Sequence, residues 1–298
     1  MTFSFKEDHI SQIPALMMLE KVGYTYLTPA EAMELRGGNT GNVLLEPILR
    51  EQLAKINTVQ VSSQRTTVFS EQNITAGIEA LRNLPMTEGY MTASQVAYDL
   101  LTAGKTLEQI VDGDKKSYVM QYIDWKNIEN NAFHVTEEFA VSRTGMSDTY
   151  RPDIVLFVNG IPLCVIECKR PDIKDSLKQA ISQHLRNQKE DGIRSLYVYS
   201  ALLLATNVNE VSYATTATPE KFWSKWTEQF ADKTAEELHR YKLAEKVNEK
   251  RINPKMFAER YSYVRAGIEK KYDAPLTASV QDAYIYNLCR PERLLRLM

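Results

Sequence analysis

The spacing of apolar residues changes along this chain, and each change predicts a different element. In LLEPILREQLAKIN, Leu44, Leu45, Ile48, Leu49, Leu53 and Ile56 fall on one broad stripe at helical spacing. Residues 10–57 as a whole read as helical, with Gly37, Gly38 and Gly41 as a loop before that stripe. Further helices are predicted over 73–84 (NITAGIEALRNL) and 92–103 (TASQVAYDLLTA). The pattern then shifts to β-branched and aromatic runs, so SYVMQYIDW and FHVTEEFAV read as strands. RPDIVLFVNGIPLCVIECKRP, residues 151–171, reads as two apolar strands joined at Asn159-Gly160. Helical spacing returns in DSLKQAISQHLRNQ through Leu177, Ala180, Ile181, His184 and Leu185, with Asp175 or Ser176 as its N-cap. SLYVYSALLLATN reads as one more strand.

A strand, a helix and a strand form a crossover, which implies parallel pairing of the outer two. Combined with the hairpin before it, this predicts an α/β fold with a mixed central sheet flanked by helices. ATTATPEKFW breaks the pattern, and residues 220–272 are charged and helix-like. The last segment, VQDAYIYNLCRPERLLRLM, stops on an apolar stretch, as expected of a cut through a longer protein. The predicted organisation is one domain over 1–219, helical to about 110 with a sheet core over about 115–215, and a helical extension over 220–298.

Bulk properties narrow the function. The chain has 298 residues, a net charge of −2 and a pI of about 6.2. It does not carry the basic excess that holds nucleic acid unaided, so local cations or a partner must supply the grip. No apolar run is long enough to span a bilayer, and MTFSFKEDHISQ lacks the basic start and apolar core of a signal peptide. The expected location is cytoplasmic, without a membrane partner. The three cysteines are Cys164, Cys168 and Cys289. They make no disulfide framework, and no further Cys or His stands at zinc-ligand spacing. Cys164 and Cys168 share a strand face with Ile166 and read as core residues.

The charges in 151–171 are out of place on apolar strands. Buried unpaired charge costs several kcal/mol, so such groups are paired, metal-bound or functional. Glu167 and Lys169 stand two apart and therefore share a face. Asp153 joins them only if the hairpin register is offset by one residue. A flush turn would set Asp153 opposite Ile166, whereas a three-residue loop or one bulge restores common parity. The loop Val158-Asn159-Gly160, with glycine in the left-handed position, is the predicted form. Asp153 and Glu167 then offer hard oxygen ligands, the Cys168 carbonyl adds another, and Mg²⁺ suits the set. Such a metal activates water and neutralises charge at phosphorus, with Lys169 orienting the water or steadying the transition state.

A third acid on a preceding helix is expected, with Glu46 the leading candidate and Glu137 and Glu138 behind it. Gln183 and Arg186 lie off the apolar stripe of the following helix, where they can reach a phosphate or water. Arg170, Lys174, Lys178 and Lys189 extend a basic strip nearby. Two other patterns carry no chemistry. Glu269-Lys270-Lys271 repeats the acid–lysine spacing without a hairpin before it. Ala103-Gly104-Lys105-Thr106 imitates the end of a phosphate-binding loop, but position 99 is Asp where that loop needs glycine, so no ATP site is expected in this chain.

Pro152-Asp153 with Glu167-Cys168-Lys169 resembles the signature of the PD-(D/E)xK nuclease superfamily. YIDW (122–125), NNAFHVTEEF (130–139), 151–171 and ISQHLRNQ (181–188) resemble the nuclease domain of the type I restriction enzyme R subunit, as do GYTYL (23–27) and ATTATPEKFWSKW (214–226). The resemblance covers about residues 10–226. It implies a restriction-endonuclease-like core that cleaves double-stranded DNA with magnesium, in a subunit whose motor domains use ATP and which assembles with methylation and specificity subunits. The matched Asp153, Glu167 and Lys169 take the catalytic roles. Many relatives carry Gln-x-x-x-Tyr on the helix after the site, whereas here Gln183 is followed by Asn187. The other readings are a stand-alone nuclease of the superfamily and a non-catalytic assembly module of the same fold.

Overall fold

A computed structural model describes residues 8–62, 65–258 and 261–298; most of the N-terminal stretch read for a signal peptide lies outside them. Its centre is a six-stranded mixed sheet. The strands are β1 (Thr25–Leu27), β2 (Phe133–Glu137), β3 (Ile154–Val158), β4 (Ile161–Cys168), β5 (Leu202–Thr206) and β6 (Val211–Ala214), in that spatial order. β1 runs parallel to β2, and β4 parallel to β5; the other neighbours are antiparallel. Every residue of β3, β4 and β5 is buried, as expected of strands covered on both faces.

The helices are α1 (Ile13–Lys21), α2 (Pro29–Leu35), α3 (Glu46–Ile56), α4 (Glu71–Arg82), α5 (Tyr90–Ala103), α6 (Ser176–Asn187), α7 (Arg194–Tyr197), α8 (Lys233–Asn248), α9 (Arg265–Lys271), α10 (Val280–Tyr284) and α11 (Pro291–Arg296). α6 is the predicted crossover and packs on β4 and β5, while α1 packs on β1 and β2. The C-terminal helices fold back onto α1. The Tyr24 hydroxyl donates to the Cys289 carbonyl at 2.6 Å, and the Lys21 ammonium to the Val247 carbonyl at 2.7 Å. Phe257, Tyr261, Ile285 and Leu294 enter the same hydrophobic cluster as the central strands. Among the described residues no helix is long and apolar enough to cross a membrane.

The structure corrects three expectations of the chain's elements. Residues 10–57 are not helical throughout, because Gly23, at φ +121°, ends α1, and β1 follows. Thr28 then starts α2 with a capping box to Glu31, its hydroxyl accepting from the Glu31 amide at 3.1 Å. SYVMQYIDW contributes to a separate hairpin, Lys105–Val111 with Asp114–Met120, rather than to the central sheet. Its turn, Asp112-Gly113, has both residues at positive φ, a type I′ signal overlooked in the sequence. SLYVYSALLLATN splits into α7 and β5, since Ile193, Leu196 and Tyr197 bury at helical spacing before the strand begins. The edge strand β6 is too short to give an alternation signal of its own.

Candidate active site

The turn between β3 and β4 is flush: Val158 pairs with Ile161, and Asn159 and Gly160 take φ +51° and +81°. The predicted three-residue loop is therefore wrong. The offset comes instead from a bulge after Pro162, where Phe157 pairs with Pro162 but Leu156 pairs with Cys164. Leu163 is the extra residue. The register then continues through Ile154 and Ile166, and one step further sets Asp153 beside Glu167. Asn159 tolerates the left-handed turn because its side chain replaces the missing ladder. It donates to the Tyr122 carbonyl at 2.9 Å and to Asn131 Oδ1 at 2.7 Å, and accepts from the Ala132 amide at 2.7 Å.

Asp153, Glu167 and Lys169 do converge. The Asp153 carboxylate accepts the Cys168 amide at 2.6 Å and stands 3.6 Å from the Lys169 ammonium. That ammonium also donates to the Cys168 carbonyl at 2.9 Å. The side chains of Asp153 and Lys169 keep 14% and 13% exposure, enough to be reached from solvent. Glu167 has none. α6 closes over it through Gln183 and Asn187.

Two amides on α6, one turn apart, hold this buried carboxylate. Gln183 Nε2 donates to Oε2 at 2.6 Å, and Asn187 Nδ2 to Oε1 at 3.1 Å. Burial, then the negative charge of Asp153, pushes the Glu167 carboxyl well above the usual range; Lys169 and Arg186 pull the other way. Asn187 Nδ2 also approaches the Tyr197 hydroxyl at 3.4 Å, and that hydroxyl meets His184 Nδ1 at 3.0 Å. His184 Nε2 lies 2.9 Å from the Leu204 carbonyl, which can only accept, so Nε2 carries the proton and Nδ1 accepts from Tyr197.

Burial lowers His184 from 6.5 to about 4. Between those values the unfolded chain binds a proton that the folded chain refuses, so this residue's contribution to stability falls as pH falls. Urea titrations at pH 7 and 4.5 should show the stability gap between the natural protein and His184→Asn narrowing by about 2 kcal/mol in acid. An unchanged gap would mean that His184 is not buried as a neutral ring.

Other candidates separate. Glu46 is not in this cluster. It starts α3 at the turn end of the hairpin, where the Leu45 amide donates to the Gly160 carbonyl at 2.9 Å. That end lies about 20 Å of strand away from Glu167. Glu46 pairs there with Arg82 at 2.5 Å. Glu137 lies close to Asp153 but is engaged in a buried polar cluster. It accepts from the hydroxyls of Tyr26, at 2.8 Å, and Tyr261, and from Gln12 at 3.2 Å. Gln12 also donates to the Asp153 carbonyl at 3.0 Å, a buttress that nothing in the sequence marked. Of the basic strip, Lys174 and Lys178 are exposed, Arg170 pairs with Asp172, and Arg186 donates to Asn187 Oδ1 at 3.2 Å. The three cysteines are free and buried, and burial pushes the Cys164 and Cys168 thiols up.

Among the described residues no group of three or more His, Cys, Asp or Glu side chains is placed to hold a metal ion. The donors at hand are two carboxylates and one carbonyl. Asp153 and the Cys168 carbonyl already converge on the Lys169 ammonium, and Gln183 and Asn187 orient both oxygens of Glu167. This hard oxygen set fits a divalent cation such as magnesium.

A family profile described as the type I restriction enzyme R protein N terminus matches residues 4–222. The chain belongs to this family. Similar proteins include a putative type I restriction enzyme MjaIXP endonuclease subunit of Methanocaldococcus jannaschii, 25% identical over 74% of this chain and 20% of that protein. The type I restriction enzyme HindI endonuclease subunit of Haemophilus influenzae is 30% identical over 67% of this chain and 18% of its own length. The EcoprrI endonuclease subunit of Escherichia coli is 25% identical over 71% of this chain and 59% of its own. The chain thus spans about a fifth of the first two relatives. The R protein N-terminal match ends at 222, so the helices from α8 onward lie beyond it although they pack on the same core.

Proposed function

We propose that this region is the magnesium-dependent DNA-cleaving module of a type I restriction enzyme R subunit, with the PD-(D/E)xK core. The observation that carries the reading is the bulge at Leu163, which brings Asp153 beside Glu167 and Lys169 at the end of a buried hairpin. Asp153, Glu167 and the Cys168 carbonyl would hold the ion. When bound, magnesium polarises the phosphodiester and makes a bound water more acidic. Lys169 places a positive charge where the attacking water and the developing phosphoryl charge need it. Gln183 and Asn187 fix the Glu167 carboxylate so that both its oxygens are oriented before substrate arrives. Arg170, Lys174, Lys178 and Arg186 are the proposed contacts to double-stranded DNA. Within the longer subunit, motor domains driven by ATP would deliver the DNA, and methylation and specificity subunits would choose the target, in the cytoplasm. Family membership favours this reading over a stand-alone nuclease or a non-catalytic module.

Metal affinity tests it directly. Titration calorimetry with Mn²⁺ should give a binding isotherm for the natural protein, weakened ~10-fold or more by Glu167→Gln. EDTA should stop cleavage. Equal Mn²⁺ binding by the two proteins would remove Glu167 from the metal site.

A further inference from the structure

Beside the carboxylates, the hairpin Val141–Ser142 with Thr149–Tyr150 reaches over the end of α6. Two guanidiniums, those of Arg143 and Arg186, each lie 4.5 Å from the centre of the Tyr150 ring. Their charges are handled differently. Arg143 is committed to Asp148 at 3.1 Å and to Asp191 at 2.5 Å. Arg186 is exposed, and among the described residues no carboxylate forms an ion pair with it. Its one side-chain hydrogen bond goes to Asn187, the residue that also holds Glu167.

The hairpin is fixed in place. The Thr144 amide donates to the Gly192 carbonyl at 2.9 Å, and the Arg143 Nε to the Asp191 carbonyl at 3.0 Å. Gly192 itself lies against the end of α6, where an added Cβ would stand 2.3 Å from the Asn187 carbonyl oxygen. Arg186 is therefore an uncommitted cation on a rigid support, one residue from a ligand-holding amide. A long side chain normally loses rotamer freedom when it grips a ligand. Stacking on a fixed ring removes much of that cost beforehand.

We infer that Tyr150, backed by Arg143, pre-positions Arg186 to hold a DNA phosphate adjoining the one that is cut. The inference rests on the DNA-cleaving reading above. It makes Arg186 a substrate contact, and Tyr150 and Arg143 positioning residues. Among the four proposed DNA contacts, Arg186 is thereby set apart from Lys174 and Lys178, which have no such support, and from Arg170, which Asp172 neutralises.

The test is the salt dependence of binding of a fluorescent duplex to the full-length subunit, with Glu167→Gln included to prevent cutting. Arg186→Ala should weaken binding ~10-fold and flatten the slope of log K against log salt by about 0.9, one phosphate contact. Tyr150→Ala should weaken binding several-fold with the slope kept, and Tyr150→Phe, which retains the ring, should restore it. An unchanged slope and affinity in Arg186→Ala overturns the inference, as does Tyr150→Phe behaving like Tyr150→Ala. Cleavage by Asp153→Asn separates the two claims. If Asp153→Asn still cuts while Arg186→Ala flattens the slope, the catalytic reading fails and the phosphate contact stands. If Asp153→Asn is dead and the slope is unmoved, only the contact fails.

Discussion

Asp153→Asn should abolish DNA cleavage by the full restriction complex, by ~10³-fold or more, while ATP hydrolysis and translocation continue. The carboxylate does two separable things. It accepts the Cys168 amide at 2.6 Å, which an amide oxygen in the same place can also do. It also carries the negative charge that faces Lys169 and, in the proposed reading, a divalent ion. The asparagine variant keeps the first and loses the second, so it should still fold, which a thermal melt checks. Losing the ion's charge stabilisation at phosphorus is worth at least about 4 kcal/mol in the barrier, hence the size of the effect. Lys169→Ala should be as damaging, because it removes the ammonium that stands 3.6 Å from Asp153. Cleavage assays on plasmid substrate, run beside ATPase measurements, check both. Survival of cleavage in Asp153→Asn would show that the site lies elsewhere.

The residues of this site were legible because they are chemically improbable where they stand. An acid, another acid and a lysine on fully apolar strands had to be explained, and parity said that a register offset was required. Where the offset occurs was not legible from the turn residues. Asn159-Gly160 is an equally good signal for a flush I′ turn, and only the packing of the hairpin decides. The bulge sits at Pro162-Leu163, where proline cannot donate to the ladder and so already interrupts it. That proline was a usable signal. Gln183 and Asn187 share a helix face at i, i+4, which was visible, but their common target, Glu167, depends on how α6 docks. The departure from tyrosine at 187 proves to place an amide on Glu167 and a hydroxyl, from Tyr197, just behind it. Glu46 misled because its local pattern, an acid at a helix start, carries no information on which end of a distant hairpin that helix meets. Gln12, Tyr150 and Arg143 lie far from 151–171 or outside its strands, and nothing in their own neighbourhoods marks them.

Gly160→Ala should cost about 2–4 kcal/mol of stability, and the reason lies in how the hairpin is anchored. Gly160 is at φ +81°, where alanine is strained by about 1 kcal/mol. A Cβ there would also stand 2.6 Å from the Leu45 carbonyl oxygen and 3.1 Å from the Leu49 amide nitrogen, both backbone atoms at the start of α3. Neither can rotate aside. Relief requires the turn to lift, which breaks the bond from the Leu45 amide to the Gly160 carbonyl and leaves buried groups unpaired, a further ~1–3 kcal/mol. Gly113 is the control. It has nearly the same φ, +86°, but nothing within 4 Å of the added carbon, so Gly113→Ala should cost only the backbone strain, about 1 kcal/mol. Urea denaturation of the two variants reads the difference, and equal losses would mean that α3 does not press on the turn. The consequence for function follows from distance. The turn and the carboxylates are at opposite ends of β4, about 20 Å apart, and the bulge lies between them. At a temperature where Gly160→Ala is still folded, it should therefore cut DNA at close to the natural rate. A stability lesion at one end of the hairpin and a chemical lesion at the other, Asp153→Asn, would then be fully separable in one element.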